Sequence, residues 1–291
     1  MRKIVSLLIA VVLCVSFAGC IKPNSSVQIV ATTLPVYEFT ARLCQGTDIQ
    51  ISRLITENVS CLHDYTLQTR QMRSVEEAEV IILSGSGLEE FLTGSLPATA
   101  KVIDASAGIS LICSEHEHTD EHDHHHDQDP HTWLSPANAK QMAGTIYKEL
   151  VAVYPVHADL MKENLAALTL ELETLEAYAD TQLADLSCRE LITFHDGFAY
   201  MAEAFGLTIV HAIEEESGSE ASAAELIDLI QTVRDHKLEA IFTERNGSFA
   251  AAEIVAAETG VSIYELDMAM SGDSYFDAMY HNIGTLKEAL A

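Results

Sequence analysis

Basic side chains are scarce in this 291-residue chain: 16 Lys and Arg stand against 44 Asp and Glu, a formal net charge of −28. Neutralising a nucleic-acid backbone needs Lys and Arg that release counterions, so nucleic acid is excluded as a partner. Electrostatic docking on an anionic membrane is excluded with it, and a cation is the ligand that suits such a field. Beyond the first twenty residues no apolar run reaches bilayer-spanning length. Also missing are the His-Glu-x-x-His helix of metalloproteases and the Gly-x-Ser-x-Gly elbow of hydrolases, so the reading is a binding protein and not an enzyme. Gly and Pro are absent from Val156 to Asp196, and nothing there interrupts a helix. What is present is 48% hydrophobic residues, a globular composition and not that of a disordered chain.

The N-terminus gives an address. Arg2 and Lys3 precede Ile4 to Phe17, an apolar stretch of export-signal type that is too short to cross a bilayer comfortably. It ends Phe17-Ala18-Gly19-Cys20, which resembles the lipobox of bacterial lipoproteins, where the cysteine is acylated and becomes the new N-terminus. The expectation is a signal peptide over residues 1–19, then lipidated Cys20 and a tether over 20–26. The protein would be extracytoplasmic, lipid-anchored to the bacterial membrane. Cys44, Cys61, Cys113 and Cys188 then remain, and spacing does not choose among their three full disulfide pairings.

Strand and helix signals alternate along the body. Val27–Thr33, Ile49–Ile55, Glu79–Ser84 and Lys101–Ala105 read as strands, with helical stretches at Leu67–Ala78 and Leu88–Leu92 between them. This predicts a parallel α/β lobe over residues 27–155. Within it, residues 114–128 begin SEHEHTDEHDHHHD, with no apolar side chain to offset ordering entropy, and read as a disordered acidic His-rich loop. A helix from Ala137 to Tyr154 follows. Met161, Leu165, Leu168, Leu172, Leu175, Ala179, Leu183 and Leu186 then recur at steps of three and four, one apolar stripe on one long helix. A linking helix over 156–187 would be roughly 45 Å long at about 1.5 Å per residue, a rigid spine between lobes. The rhythm restarts over 188–291, with strands at Leu191–Phe194, Leu207–Ala212, Ala240–Thr243 and Val261–Leu266. The fold class is α/β: two parallel-sheet lobes joined by one long rigid helix. Ligands of such sheets sit at the carboxyl ends of strands, which here means the inter-lobe cleft.

Four side chains fall at those ends or at breaks beside them: His63 after the second strand, His131 where order resumes after the loop, His195 directly after LITF, and Asp267 closing VSIYEL. Two come from each lobe, and three imidazoles with a carboxylate make a tetrahedral set for Zn²⁺. Asp64 and Asp196 directly follow two of these histidines; each reads equally as a partner fixing an imidazole tautomer or as a solvated acid. His157, His211, His236 and His281 read as ordinary surface histidines.

The strings His63-Asp64-Tyr65, Asp129-Pro130-His131-Thr132-Trp133, Thr193-Phe194-His195-Asp196 and Leu266-Asp267 … Gly272-Asp273-Ser274-Tyr275 resemble the metal-site motifs of the cluster A-I substrate-binding proteins. These are the zinc and manganese receptors of ABC importers, and the likeness is to their ZnuA-like zinc-binding group. It runs from about Val27 to the C-terminus and takes in the spine, the His-rich loop and Ala240–Gly260. It implies that His63, His131, His195 and Asp267 are the metal ligands. It also implies an ABC importer permease and its ATPase as partners, with the chain itself a monomer. Manganese members place a glutamate at the third position and zinc members a histidine, so His195 favours Zn²⁺, carried as transported ligand and not as catalytic cofactor. Where the family commonly continues Leu-Asp with proline, this chain has Met268-Ala269-Met270, and Asp267 or a water can be the fourth ligand.

His116, His118, His122, His124, His125 and His126 stand among acids in the loop and form an auxiliary, weaker Zn²⁺-chelating segment. The alternatives are a Mn²⁺ or other divalent-metal receptor of the same family, an exported zinc hydrolase with water in the fourth position, and an adhesin serving cell adhesion.

Overall fold

The computed structural model describes residues 27–59, 62, 65–113, 128–213 and 221–291. The signal peptide, Cys20 and its tether, Cys61, His63, Asp64 and the six loop histidines lie outside the described residues.

Short Val- and Ile-rich runs pair as parallel strands. β1 (Ile29–Ala31), β2 (Ile51–Arg53), β3 (Val80–Leu83) and β4 (Lys101–Asp104) form one sheet in the order β2-β1-β3-β4. Its two central strands are the most apolar and carry six fully buried residues, Ile29 to Ala31 and Val80 to Ile82, as central parallel strands covered by helices should. The crossovers run through α1 (Leu34–Leu43) and α2 (Thr69–Glu77).

The stretch Leu88–Leu92 differs from its sequence reading: only a 3₁₀ turn forms, over Glu90–Leu92. The chain approaches it through Gly85, Ser86 and Gly87, all at positive φ (92°, 54° and 86°). A Cβ on Gly85 would lie 1.8 Å from Oδ1 of Asp104, so glycine is required there on both counts. The Glu89 carboxylate then folds back to accept hydrogen bonds from the Ser84 and Gly85 amides at 2.7 and 3.1 Å. That local closure takes the place of a longer helix.

Two helices follow, α3 (Pro136–Val153) and α4 (Ala158–Gln182). At 25 residues α4 is shorter than the stretch read from periodicity, because a 3₁₀ turn occupies Pro155–His157 and the helix ends before Leu183. Met161, Leu168, Leu172, Leu175 and Ala179 are its buried face.

The second sheet repeats the pattern of the first: β5 (Glu190–Thr193), β6 (Thr208–Ala212), β7 (Ala240–Glu244) and β8 (Ser262–Leu266) run parallel in the order β6-β5-β7-β8. Helices α5 (Ala199–Ala204), α6 (Ala223–His236) and α7 (Ala250–Thr259) connect them. The last helix, α8 (Tyr275–Leu290), returns from the second sheet to pack on α4 and α1.

Among the described residues, the larger of two hydrophobic clusters is shared between the lobes, and a smaller one around Ile192, Leu229, Ile241 and Val255 belongs to the second lobe. The shared cluster runs from Ile29 and Ile81 through Trp133 and Leu172 to Leu191, Phe242 and Tyr275. Polar bonds stitch the same seam: the Trp133 indole N–H donates to the Met268 carbonyl at 2.8 Å, and the Tyr275 hydroxyl to the Trp133 carbonyl at 2.8 Å. Tyr275 also packs edge-on against Phe39, and the Arg42 guanidinium lies 4.5 Å over the Phe276 ring. A seam with this much fully buried aromatic surface resists wide hinge opening. Among the described residues Cys44, Cys113 and Cys188 are free thiols, and burial pushes the Cys44 thiol up to about 12. No described helix is long and apolar enough to cross a membrane.

Candidate metal centre

His131 is delivered by a turn built from its own neighbours. The Asp129 Oδ1 atom accepts from the His131 amide at 2.8 Å, and the Thr132 amide donates to the Pro130 carbonyl at 2.8 Å. This is the side-chain-closed turn that Asp before proline favours. The chain then passes through fully buried Trp133 to Ser135, whose hydroxyl accepts from the Asn138 amide and caps α3. Upstream, the Asp129 amide donates to the Ile112 carbonyl, and Cys113 bridges Gln128 in antiparallel fashion. The two ends of the 114–127 segment are therefore pinned together three residues before His131. Tyr200 on α5 clamps this base from the other lobe: its hydroxyl accepts from the Ile112 amide and donates to the Asp129 carbonyl, both at 3.0 Å. Burial raises the Tyr200 phenol, keeping it a donor.

His195 leaves the carboxyl end of β5 in extended conformation. It is 8% exposed and His131 2%. The two rings, from opposite lobes, meet edge-to-face with centroids 5.3 Å apart. Gly197 is what permits this approach. A Cβ there would lie 2.7 Å from His131 Nδ1, 2.8 Å from its Cε1 and 2.6 Å from Met268 Cε.

A carboxylate stands at Nδ1 of each ring. Asp129 Oδ1 is 2.8 Å from His131 Nδ1. Glu244, the last residue of β7 and 5% exposed, brings Oε2 to 3.6 Å from His195 Nδ1, a charge contact too long for a hydrogen bond. Neither Asp129 nor Glu244 was among the residues read from the sequence as tautomer partners, which were Asp64 and Asp196. The signal for Glu244 was its place at the end of the apolar run AIFT, one residue beyond the predicted strand.

Asp267 follows β8 directly and is held on every side. Its amide donates to Asn282 Oδ1 and its carbonyl accepts from Asn282 Nδ2, each at 2.7 Å. Its Oδ1 accepts from the Ala269 amide at 2.8 Å, and its Oδ2 receives Arg245 Nη1 at 2.8 Å. Ala269 reaches this position at φ 54°, the left-handed region an alanine enters at a cost of about 1–2 kcal/mol. The structure thus brings His131 and His195 together and sets Asp267 at the end of β8, one strand removed from β5 across β7. Among the described residues no three His, Cys, Asp or Glu side chains form a metal-holding group by themselves. The surface histidines are placed elsewhere: His157 beside Asp48 at 3.0 Å and His236 beside Glu190 at 2.9 Å.

The two-lobe α/β fold has counterparts in known proteins. The family model described as zinc-uptake complex component A, periplasmic, matches residues 29–289. The chain belongs to this family. Its members are receptors that bind metal for ABC transporters and are not enzymes. The zinc-binding lipoprotein AdcA of Streptococcus pneumoniae is 29% identical over 310 aligned positions, covering 99% of this chain and 61% of that protein. The chain therefore spans about three fifths of that relative's length. A crystal structure of ZnuA matches with a TM-score of 0.80 at 30% identity, covering 91% of this chain and 99% of that one. The Zn(II)-bound ZnuA-like domain of S. pneumoniae AdcA matches with a TM-score of 0.76 at 26% identity, covering 91% and 99%.

Proposed function

We propose that this protein captures Zn²⁺ outside the cytoplasm and hands it to the permease and ATPase of an ABC importer, held to the membrane by a lipid on Cys20. His63, His131 and His195 supply imidazole nitrogen, and Asp267 the fourth donor. The observation that carries this reading is the His131–His195 pair. Zinc bound tetrahedrally at about 2.0–2.1 Å from each nitrogen places two imidazole centroids roughly 5 Å apart. The two rings stand at 5.3 Å with buried carboxylates behind both Nδ1 atoms. Nitrogen donors favour zinc over the harder Mn²⁺; a zinc-binding relative and a zinc-bound structural neighbour support that choice, beside neighbours bound to Mn and Ni. A closed four-donor shell leaves no exchangeable position for hydrolysis, so the ion is cargo.

Competition against a zinc chelator tests this, run in parallel with Mn²⁺. The intact protein should prefer Zn²⁺, and His195→Ala or His131→Ala should lose at least 100-fold in affinity. Near wild-type affinity in either variant would overturn the ligand set, and a Mn²⁺ preference would overturn the metal. Deleting residues 114–127 should lower the number of ions bound at saturation and leave the tightest site; loss of that site would reverse the division of roles between loop and cleft.

A further inference from the structure

We propose that Asp129 is a positioning residue. It holds His131 in the Nδ1-protonated tautomer so that Nε2 is the nitrogen offered to the ion. The inference rests on the zinc-capture reading and adds to it a residue outside the ligand set. A carboxylate oxygen has no proton to give, so the 2.8 Å contact between Asp129 Oδ1 and His131 Nδ1 requires the imidazole to donate. A neutral imidazole has one N–H, and once Nδ1 carries it, Nε2 is left as a lone-pair donor. Both side chains are almost fully buried, at 3% and 4% exposure, so water does not compete for either nitrogen.

Three further features make this more than a chance contact. The same Oδ1 accepts the His131 amide at 2.8 Å, so one oxygen fixes both the backbone and the ring of the same residue. Asp129 Oδ2 is buried with no hydrogen-bond partner among the described residues, and no Lys or Arg pairs with the carboxylate there. The hydrogen bonds of this carboxylate among the described residues thus go to the ring and the amide of His131, which orients the ring with Nε2 free to donate its lone pair. Gly197 lies against the same Nδ1–Cε1 edge of the ring, where a Cβ would stand 2.7–2.8 Å away, so the ring sits tight against the backbone there. Asp129 lies two residues before His131 in the chain, whereas Asp64 and Asp196 directly follow their histidines. The Asp-Pro-His turn is what lets a preceding acid reach the ring.

The test combines ¹⁵N NMR of the His131 ring in the metal-free full chain with Zn²⁺ affinity by chelator competition. The wild type should show the Nδ1–H tautomer. Asp129→Ala should shift the ring toward Nε2–H and weaken Zn²⁺ binding about 10- to 100-fold. Asp129→Asn keeps an oxygen acceptor, so it should retain the tautomer, with a smaller loss, and it serves where the alanine variant does not fold. A purely structural turn residue would lower affinity in Asp129→Ala without moving the tautomer, and that result overturns the proposal. Unchanged affinity in Asp129→Ala beside a large loss in His131→Ala overturns it too, leaving the ligand set intact. Unchanged affinity in His131→Ala would instead sink the ligand reading itself.

Discussion

The Arg245 guanidinium lies 2.8 Å from Oδ2 of Asp267, on a side chain that is 52% exposed, while the aspartate it pairs with is 9% exposed. Asp267 does not need Arg245 to keep its place, because Asn282 and the Ala269 amide already fix its backbone and its other oxygen. What Arg245 adds is a positive charge beside a proposed cation donor. Arg245→Gln should therefore raise Zn²⁺ affinity. With the guanidinium half in solvent, its pull on the carboxylate is screened to on the order of 1 kcal/mol, a gain of about five- to tenfold. Isothermal or chelator titrations at low and high salt check it, since the gain should shrink as salt screens the guanidinium. A loss of affinity would make Arg245 a support for Asp267 and not its competitor.

Gly197→Ala should weaken zinc binding and destabilise the fold together. The added methyl meets the His131 ring at 2.7–2.8 Å and Met268 Cε at 2.6 Å. Met268 is a flexible end that can yield, but the ring is held by Asp129 and flanked by Trp133. Overpacking of this kind costs about 1–3 kcal/mol. A urea titration reads the stability change, and chelator competition the affinity. If both stay at wild-type values, the imidazole pair is looser than its packing implies.

Tyr200→Phe isolates the clamp at the base of the His-rich segment. It strands two groups at once, the Ile112 amide and the Asp129 carbonyl, in a place where Tyr200 is 3% exposed. Leaving buried polar groups unpaired costs about 1–3 kcal/mol. The expected result is a lower denaturation midpoint with little change in the slope, measured by circular dichroism in urea. An unchanged midpoint would mean that water replaces the hydroxyl freely.

How far the sequence carried this picture depends on what each feature rests on. Apolar runs such as EVIILS and the three-and-four stripe from Met161 to Ala179 announce buried strands and a one-faced helix, because burial writes itself into residue type. The placement of His131, His195 and Asp267 was legible because each sits where an apolar run or a turn ends. Glu244 was harder to read: a charged residue closing a strand looks like the start of a loop, and only the register of β7 against β8, Glu244 beside Leu266, places it next to the site. Asp129, Gly197 and Asn282 were illegible for other reasons. For Gly197 and Asn282 the roles arise from contacts with residues 66 and 15 positions away (His131 and Asp267), which no local pattern encodes. Asp129 acts on His131 two residues on, through a turn whose side-chain closure the string Asp-Pro-His does not by itself announce. The shortfall at Leu88–Leu92 has the same origin, since the Glu89 side chain closes on amides four and five residues back.

That carboxylate also predicts a pH dependence. Glu89 is buried against Thr32, Ser84 and Gly85, all of them donors, with Oε1 accepting from the Thr32 hydroxyl at 2.6 Å. Burial is the largest influence and raises its affinity for a proton, and the charge of Asp104 pushes the same way against the lowering effect of the three hydrogen bonds. The folded protein thus binds this proton more tightly than the unfolded chain, whose glutamate titrates near its ordinary value of about 4.3. Its contribution to stability is complete below that ordinary value and is lost as pH rises through the raised folded value. The slope between the two values approaches about 1.4 kcal/mol per pH unit. Other carboxylates titrate over the same range, and some, such as Glu57 beside Arg70, are shifted the opposite way. The measurable quantity is therefore the difference between wild type and Glu89→Gln. Urea midpoints taken from pH 4 to pH 8 should show the wild type losing ground to the variant as pH rises. A difference that stays constant across that range would mean that the three donors, and not burial, set the proton affinity of Glu89.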